Sequence, residues 1–490
     1  MTYAFIFDAS SCSGCKACQA ACKDKNQLPT GVLWRRVYEV SGGGWERHGE
    51  AWTNTVFAYN LSIACNHCEH PKCAGVCPVD AYVIRPDGIV YIDESKCVGC
   101  GYCAWACPYE APQYNPDLGH MTKCNFCFDN IDAGAPPACV AACPMRVLGV
   151  EEIREQAIES REQRVESSGG KGEMELWKVS AEKHPFPLPK YSRTQPHLAI
   201  KPHAAMSVTE AKQVANHEEI HPRKESAWEE APLVIFTLLA QMAVGGFWMM
   251  QLMLQDVWNL AVGNQIILRA IPLLVIGAAL GLGMFFSFAH LGTKKNAWRT
   301  LGHLRKSWLS REILFESLFS LSWLAVTAEL LLLHRTTPAL MWVTALFGYF
   351  LIHSMSNVYR LPAKPAWNSW RTNASFFVST LVLGWMSMSA VLNFESQQIV
   401  IDLSFWQMIG TDIFIVALIL ISLQTIISSK FHPDGMTRAL HITVNFLAVF
   451  ATFLAFMVIG KPSLEQTLIV FVLVLTGEVI GRWQFYKAAS

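Results

Sequence analysis

Sixteen cysteines fall between Cys12 and Cys143, and the rest of the 490-residue chain has none. They come in four groups: Cys12, Cys15, Cys18 and Cys22; Cys65, Cys68, Cys73 and Cys77; Cys97, Cys100, Cys103 and Cys107; Cys124, Cys127, Cys139 and Cys143. Each group has two cysteines separated by two residues, a third further on, and a fourth four positions after the third. The group from Cys97 reads C-x2-C-x2-C-x3-C-P, the spacing that wraps a [4Fe–4S] cluster and sends its fourth thiolate to a neighbouring one. Four such groups suggest four cubane clusters in two pairs. Eight disulfides would suit a short secreted chain better. Four zinc sites fit the count, since C-x2-C also binds zinc, but zinc does not explain the triple C-x2-C-x2-C or the prolines Pro78, Pro108 and Pro144 after three of the groups. Proline has no N–H to offer and turns the chain away from a site. Cys22 is followed instead by Lys23, and "ACKDKNQL" reads as a helix running on past the cysteine into polar sequence.

The elements that must hold these groups are short strands and turns, an α+β arrangement of ferredoxin type over residues 1–205. "MTYAFIFDAS" reads as a strand leading into the first cysteines and lacks the pattern of an export signal. Arg35 and Arg36 read as two solvated strand residues. Residues 206–231 are charged and polar, a linker. After them come eight apolar stretches long enough to span a bilayer, near 232–253, 266–290, 313–333, 338–358, 374–394, 404–428, 439–460 and 465–485. About 20 residues suffice for one span. Residues 232–490 are therefore expected to form an all-α bundle of eight membrane helices. Net charge is zero, so no global field marks a nucleic-acid partner. An even number of spans returns the chain to one side, and that side carries thirteen Lys and Arg in its loops and tail, Lys294, Lys295, Arg305 and Arg371 among them. The positive-inside rule places it, and the iron–sulfur half, in the cytoplasm of a cell whose inner membrane the chain spans. A basic loop can also dock the iron–sulfur half, so an outward orientation stays open.

Residues 1–205 resemble the iron–sulfur subunit of dimethyl sulfoxide reductase. "FIFDASSCSGCKACQAACKD", "VFAYNLSIACNHCEHPKC", "ACPYEAPQYNPDLGHMTKCNFC", "CPMRVL" and "HLAIKPHAA" carry the likeness. "SFAHLGTKKNAWRTLGHLRKSWLSREILFES", "MSNVYRLPAKPAWNSWRT" and "GEVIGRWQFY" resemble the membrane anchor of the same complex, normally a separate chain that oxidises menaquinol. The resemblance implies a fusion of the two. It also implies the pairing of the groups. Cys12, Cys15, Cys18 and Cys143 hold one cluster; Cys22, Cys124, Cys127 and Cys139 its partner. Cys65, Cys68, Cys73 and Cys107 hold a third; Cys77, Cys97, Cys100 and Cys103 the fourth. Some relatives carry a tryptophan at the position of Cys100 and a three-iron cluster; with cysteine there, four cubanes are expected.

The same resemblance puts the quinol site around His290, at the end of the second span, and Glu312, at the start of the third. A neutral histidine can take a quinol proton, and a carboxylate can pass it on. A helix-end histidine with Glu312 paired to Arg311 is the plainer alternative. Glu316, Glu329, Asp412 and Glu478 also fall within spans, as proton-path groups or helix–helix hydrogen bonders. His290, His353 and His441 lie near one membrane face, but the resembled anchor is haem-free. The implied function is oxidation of menaquinol and transfer of its electrons to a molybdopterin-bearing catalytic subunit that reduces dimethyl sulfoxide or a related S- or N-oxide; the chain has no molybdenum site of its own. A quinone-reducing subunit running the opposite way is the alternative, and a zinc-stabilised transporter is the rival from another class.

Overall fold

The structure, a computed structural model, describes residues 2–153, 177–178, 194–201, 203, 231–261, 266–289, 291–396, 419, 421–426, 439–448, 450 and 463–487. Two compact units result: Met1–Lys224 with Gly292–Lys306, and Glu225–Leu291 with Ser307–Ser490.

In the first unit, strand β1 (Thr2–Asp8) is central. It pairs antiparallel with β10 (Leu148–Ile153) and parallel with β12 (Leu198–Lys201), and β11 (Trp177–Lys178) completes the sheet beside β12. Alternation along β1 buries Phe5 and Phe7; Phe5 stacks on Phe126 with ring centroids 4.2 Å apart. Four hairpin-like pairs surround this sheet: β2 (Arg36–Gly42) with β5 (Phe57–Ile63), β3 (Trp45–His48) with β4 (Ala51–Asn54), β6 (Tyr82–Ile84) with β7 (Val90–Ile92), and β8 (Gln113–Asn115) with β9 (His120–Thr122).

The cysteine groups share one local design. The third cysteine of each lies in a short helix: α1 (Ala17–Lys25), α2 (Lys72–Val76), α3 (Tyr102–Ala106) or, after α4 (Phe128–Asp132), α5 (Ala138–Ala141). Proline disfavours helical geometry in the residue before it. Cys77 and Cys107, which precede Pro78 and Pro108, are accordingly extended and end α2 and α3. Lys23 imposes no such stop, so α1 runs on to Lys25, and the Lys23 ammonium donates to the Pro29 carbonyl at 3.2 Å. In all four C-x2-C loops the residue before the second cysteine has positive φ: Gly14, Gly99, His67 and Phe126. A side chain there costs roughly 1–3 kcal/mol. His67 and Phe126 offset that cost by packing edge-to-face, 5.0 Å apart and fully buried.

The second unit contains six helices long and apolar enough to cross a membrane among the described residues. They belong to α6 (Ala231–Ala261), α7 (Ile266–Ala289), α8 (Trp308–Leu333), α9 (Pro338–Val358), α10 (Trp370–Ser396) and α11 (Leu464–Lys487). These correspond to the first five and the last of the expected spans. The sixth and seventh fall largely outside the described residues; the described apolar helical piece Ala439–Ala448 belongs to the seventh. Hydroxyls inside these helices turn back to the carbonyl four residues earlier, as Thr327 does to Trp323, Thr344 to Leu340 and Thr380 to Phe376. In hydrocarbon every polar group needs such a partner. Helices α6 and α10 pack closest where Gly245 faces Gly384; a Cβ on Gly245 would strike the Thr380 carbonyl.

Candidate iron–sulfur and quinol sites

Cysteines distant in sequence come together around common spaces. Cys12, Cys15, Cys18 and Cys143, set I, line a common pocket with Phe7, Gly14 and Ser62. Cys65, Cys68, Cys73 and Cys107, set III, line another with His67, Tyr109 and Lys123. In set II, Cys22 stands within electrostatic reach of Cys139 and Cys127, and Cys124 within reach of Cys22 and Cys139. In set IV, Cys100 faces Cys77 and Cys97, and Cys103 faces Cys100 and Cys77. Each set thus draws three thiols from one group and the fourth from another. Successive sets also adjoin: Cys18 of I lies near Cys139 of II, and Cys124 of II near Cys65 of III. Tyr82 is buried, facing Cys73 of III and Cys77 and Cys103 of IV.

None of the sixteen cysteines is joined in a disulfide. Among the described residues no three His, Cys, Asp or Glu donors converge as a single ion requires. A zinc ion draws four ligands onto one atom, whereas a cubane spreads its thiolates around a body of iron and sulfide. Four thiols around a cavity therefore suit a cluster. Burial pushes the Cys22, Cys68 and Cys100 thiols up to about 12 and Cys107 to about 11, and neighbouring thiolates add to the rise. Thiols in such surroundings ionise when a metal takes up their charge.

Backbone donors supplement the set. The Gly99 N–H points at Cys97 Sγ and the Phe126 N–H at Cys124 Sγ, both at 3.4 Å. Segment Gly292–Lys306, expected as a loop of the membrane half, belongs to the iron–sulfur unit because it bonds to the backbone of set IV. Asn296 donates its amide to the carbonyls of Ser95 and Cys97, each at 3.0 Å. The Thr293 N–H donates to the Val98 carbonyl, also at 3.0 Å. His303 Nδ1 is 2.7 Å from the Cys77 carbonyl.

Arg35 and Arg36 correct the sequence expectation. Neither is solvated; they are 2% and 4% exposed. Arg36 donates to the Tyr109 carbonyl at 2.6 Å, and Arg35 lies among the cysteines of sets I and II. Neighbours on the strand reveal nothing of this, because the partners come from residues up to a hundred positions away.

In the second unit, Glu312 lies in the first turn and a half of α8 and Glu316 one turn further, so both occupy one face. They are buried. The Arg311 guanidinium sits 4.2 Å over the Trp308 ring. His290 and Asp412 lie outside the described residues. Glu329 accepts hydrogen bonds from the N–H and hydroxyl of Thr337 and so joins the end of α8 to the start of α9. Glu478 accepts from the Ser379 hydroxyl at 2.6 Å and the Gln424 amide at 3.2 Å, a helix-to-helix bond. The Nε2 atoms of His353 and His441 face the amides of Asn357 and Asn445, one turn along their own helices.

Comparison with known families decides the grouping. Residues 224–487 match the family described as DMSO reductase anchor subunit (DmsC), and residues 56–153 match the 4Fe-4S dicluster domain. The chain belongs to the DMSO reductase anchor subunit family. It joins to that anchor an iron–sulfur sequence of the kind found in the same reductases. Over 205 residues it is 45% identical to a chain of the anaerobic dimethyl sulfoxide reductase of Escherichia coli (strain K12), covering 41% of this chain and 89% of the relative. Over 223 residues it is 42% identical to YnfG, a probable anaerobic dimethyl sulfoxide reductase chain of the same organism, covering 44% and 98%. A tetrathionate reductase subunit of Salmonella typhimurium is 41% identical over 151 residues, covering 30% and 57%. The family assignment makes this a membrane-anchored iron–sulfur electron-transfer protein.

Proposed function

We propose that the chain oxidises menaquinol in its membrane half and delivers the electrons to a separate molybdopterin-bearing subunit that reduces dimethyl sulfoxide or a related S- or N-oxide. The observation that carries this reading is the union, in one family-assigned chain, of an anchor with four adjoining sets of four thiols. Sets I to IV would each hold a [4Fe–4S] cluster, which when bound supplies a one-electron carrier. The chain's own residues do the rest. The sixteen thiolates hold the iron, the C-x2-C loops aim N–H groups at sulfur, and apolar burial keeps water out.

In the membrane half, the His290 imidazole accepts a hydroxyl proton from menaquinol and the Glu312 carboxylate carries it onward. Burial of Glu312 beside Glu316 supports a proton-handling role, since ionisable groups inside spans mark such paths. The domains are 1–205, a linker at 206–231, and an anchor of eight spans over 232–490, with the iron–sulfur part on the cytoplasmic side of the inner membrane. The test is turnover with the catalytic partner. Menaquinol-analogue-driven reduction of dimethyl sulfoxide should require both halves of the chain. Reduction driven by viologen dye should not require the membrane half. Quinol-driven turnover that survives removal of residues 232–490 would exclude the proposal.

A further inference from the structure

Two buried cations stand at the junctions between the cysteine sets, and neither has a carboxylate partner among the described residues. Arg35 donates one η-nitrogen to the Ser62 carbonyl at 3.3 Å and the Ser62 hydroxyl at 3.2 Å, and that hydroxyl lies 3.4 Å from Cys18 Sγ. Its guanidinium carbon sits 4.4 Å over the Phe5 ring. The Nε and the other η-nitrogen are buried with no acceptor among the described residues. The thiolates acting on it are Cys18 of set I and Cys22, Cys124 and Cys139 of set II. Lys123 is 3% exposed. Its ammonium donates to Cys65 Sγ of set III at 3.3 Å, to the Cys124 carbonyl of set II at 3.0 Å, and to the Val90 carbonyl. At the junction of sets III and IV the buried residue is a neutral phenol, Tyr82.

An unpaired buried cation is strongly unfavourable unless negative charge compensates it. A cubane with four thiolate ligands is an anion, and reduction adds one further negative charge to it. A fixed positive charge nearby stabilises the reduced form more than the oxidised form, and so raises the reduction potential.

We propose that Arg35 and Lys123 are potential-setting residues, counter-charges at the I/II and II/III junctions that grade the wire. This rests on the reading that sets I to IV hold clusters. Set II, faced by both, is raised most by them. Sets I and III, each faced by one of the two, are raised less, and set IV, faced by neither, is not raised by them.

The test is an EPR-monitored redox titration of the purified full-length chain and four variants, after iron and acid-labile sulfide have been counted in each. A parent chain without about four irons per set would mean that the cluster reading itself fails, separately from this proposal. With clusters present, Arg35→Gln should lower the reduction equilibrium of two clusters roughly tenfold, about 59 mV for a one-electron couple. Lys123→Gln should do the same for two clusters, one of them shared with the first pair. The charge-retaining Arg35→Lys and Lys123→Arg should leave all four potentials in place, and one cluster, that of set IV, should be moved by no variant. Neutral variants with unchanged potentials would overturn the proposal, as would an equal shift in the charge-retaining variants. Loss of iron in the neutral variants would also overturn it, by making the cations structural.

Discussion

On the proposed reading, individual side chains divide into those that hold metal, those that handle protons and those that set charge. Cys100 tests the first kind. It is the set IV thiol at the position where some relatives carry tryptophan, so Cys100→Trp should remove about one iron of roughly sixteen and produce a three-iron EPR signal. Quinol-driven turnover should fall while dye-driven activity of the partner survives. Disappearance of all four clusters from the spectrum would make the position structural. His290 tests the second kind. Arginine there places a permanent cation where a base is needed, and its long side chain can snorkel to the interface. His290→Arg should insert, keep its clusters and keep dye-driven activity. Quinol-driven turnover should drop at least ~100-fold, the lower range for loss of a general base. A normal quinol rate would move the site to Glu312 or His353.

Helices, strands and loops were readable from the chain to different depths. The apolar runs marked the five described spans from α6 to α10 and the last, α11, because about 20 continuous apolar residues have few soluble alternatives. The stop after Cys77 and Cys107 followed from proline, and the extension of α1 past Cys22 from its absence. The membership of Gly292–Lys306 did not follow, since its partners are backbone carbonyls that no side-chain pattern announces. Arg35 and Arg36 misled for a related reason: charge in a strand region normally means solvent, unless partners arrive from elsewhere in the fold, thiols for Arg35 and the Tyr109 carbonyl for Arg36. The contact of α6 with α10 was also silent, because a glycine reports its role only through what lies opposite. Gly245→Ala should lower the melting temperature in detergent, at a cost of about 1–3 kcal/mol for the overpacked contact. Gly281→Ala in α7, where a Cβ meets nothing, should be neutral or stabilising by up to ~1 kcal/mol. Equal melting temperatures for the two variants would show that α6 and α10 have room to part.

Taken whole, the chain couples a membrane anchor to sixteen thiols arranged as four sets, each closed by a cysteine from a distant group. On the proposed reading, that exchange of fourth ligands ties the sets into two pairs, I with II and III with IV, and each group would serve two clusters. Cys77→Ser should therefore weaken set IV while sparing the set III cluster that its own group otherwise holds, and iron content should fall by no more than about four. The most direct measurement is the metal and sulfide content of the chain purified without oxygen. Roughly sixteen irons and sixteen acid-labile sulfides per chain, with no stoichiometric zinc, are expected of four intact cubanes. About four zinc ions with no sulfide, or iron near twelve with a three-iron signal in the intact oxidised protein, would contradict them.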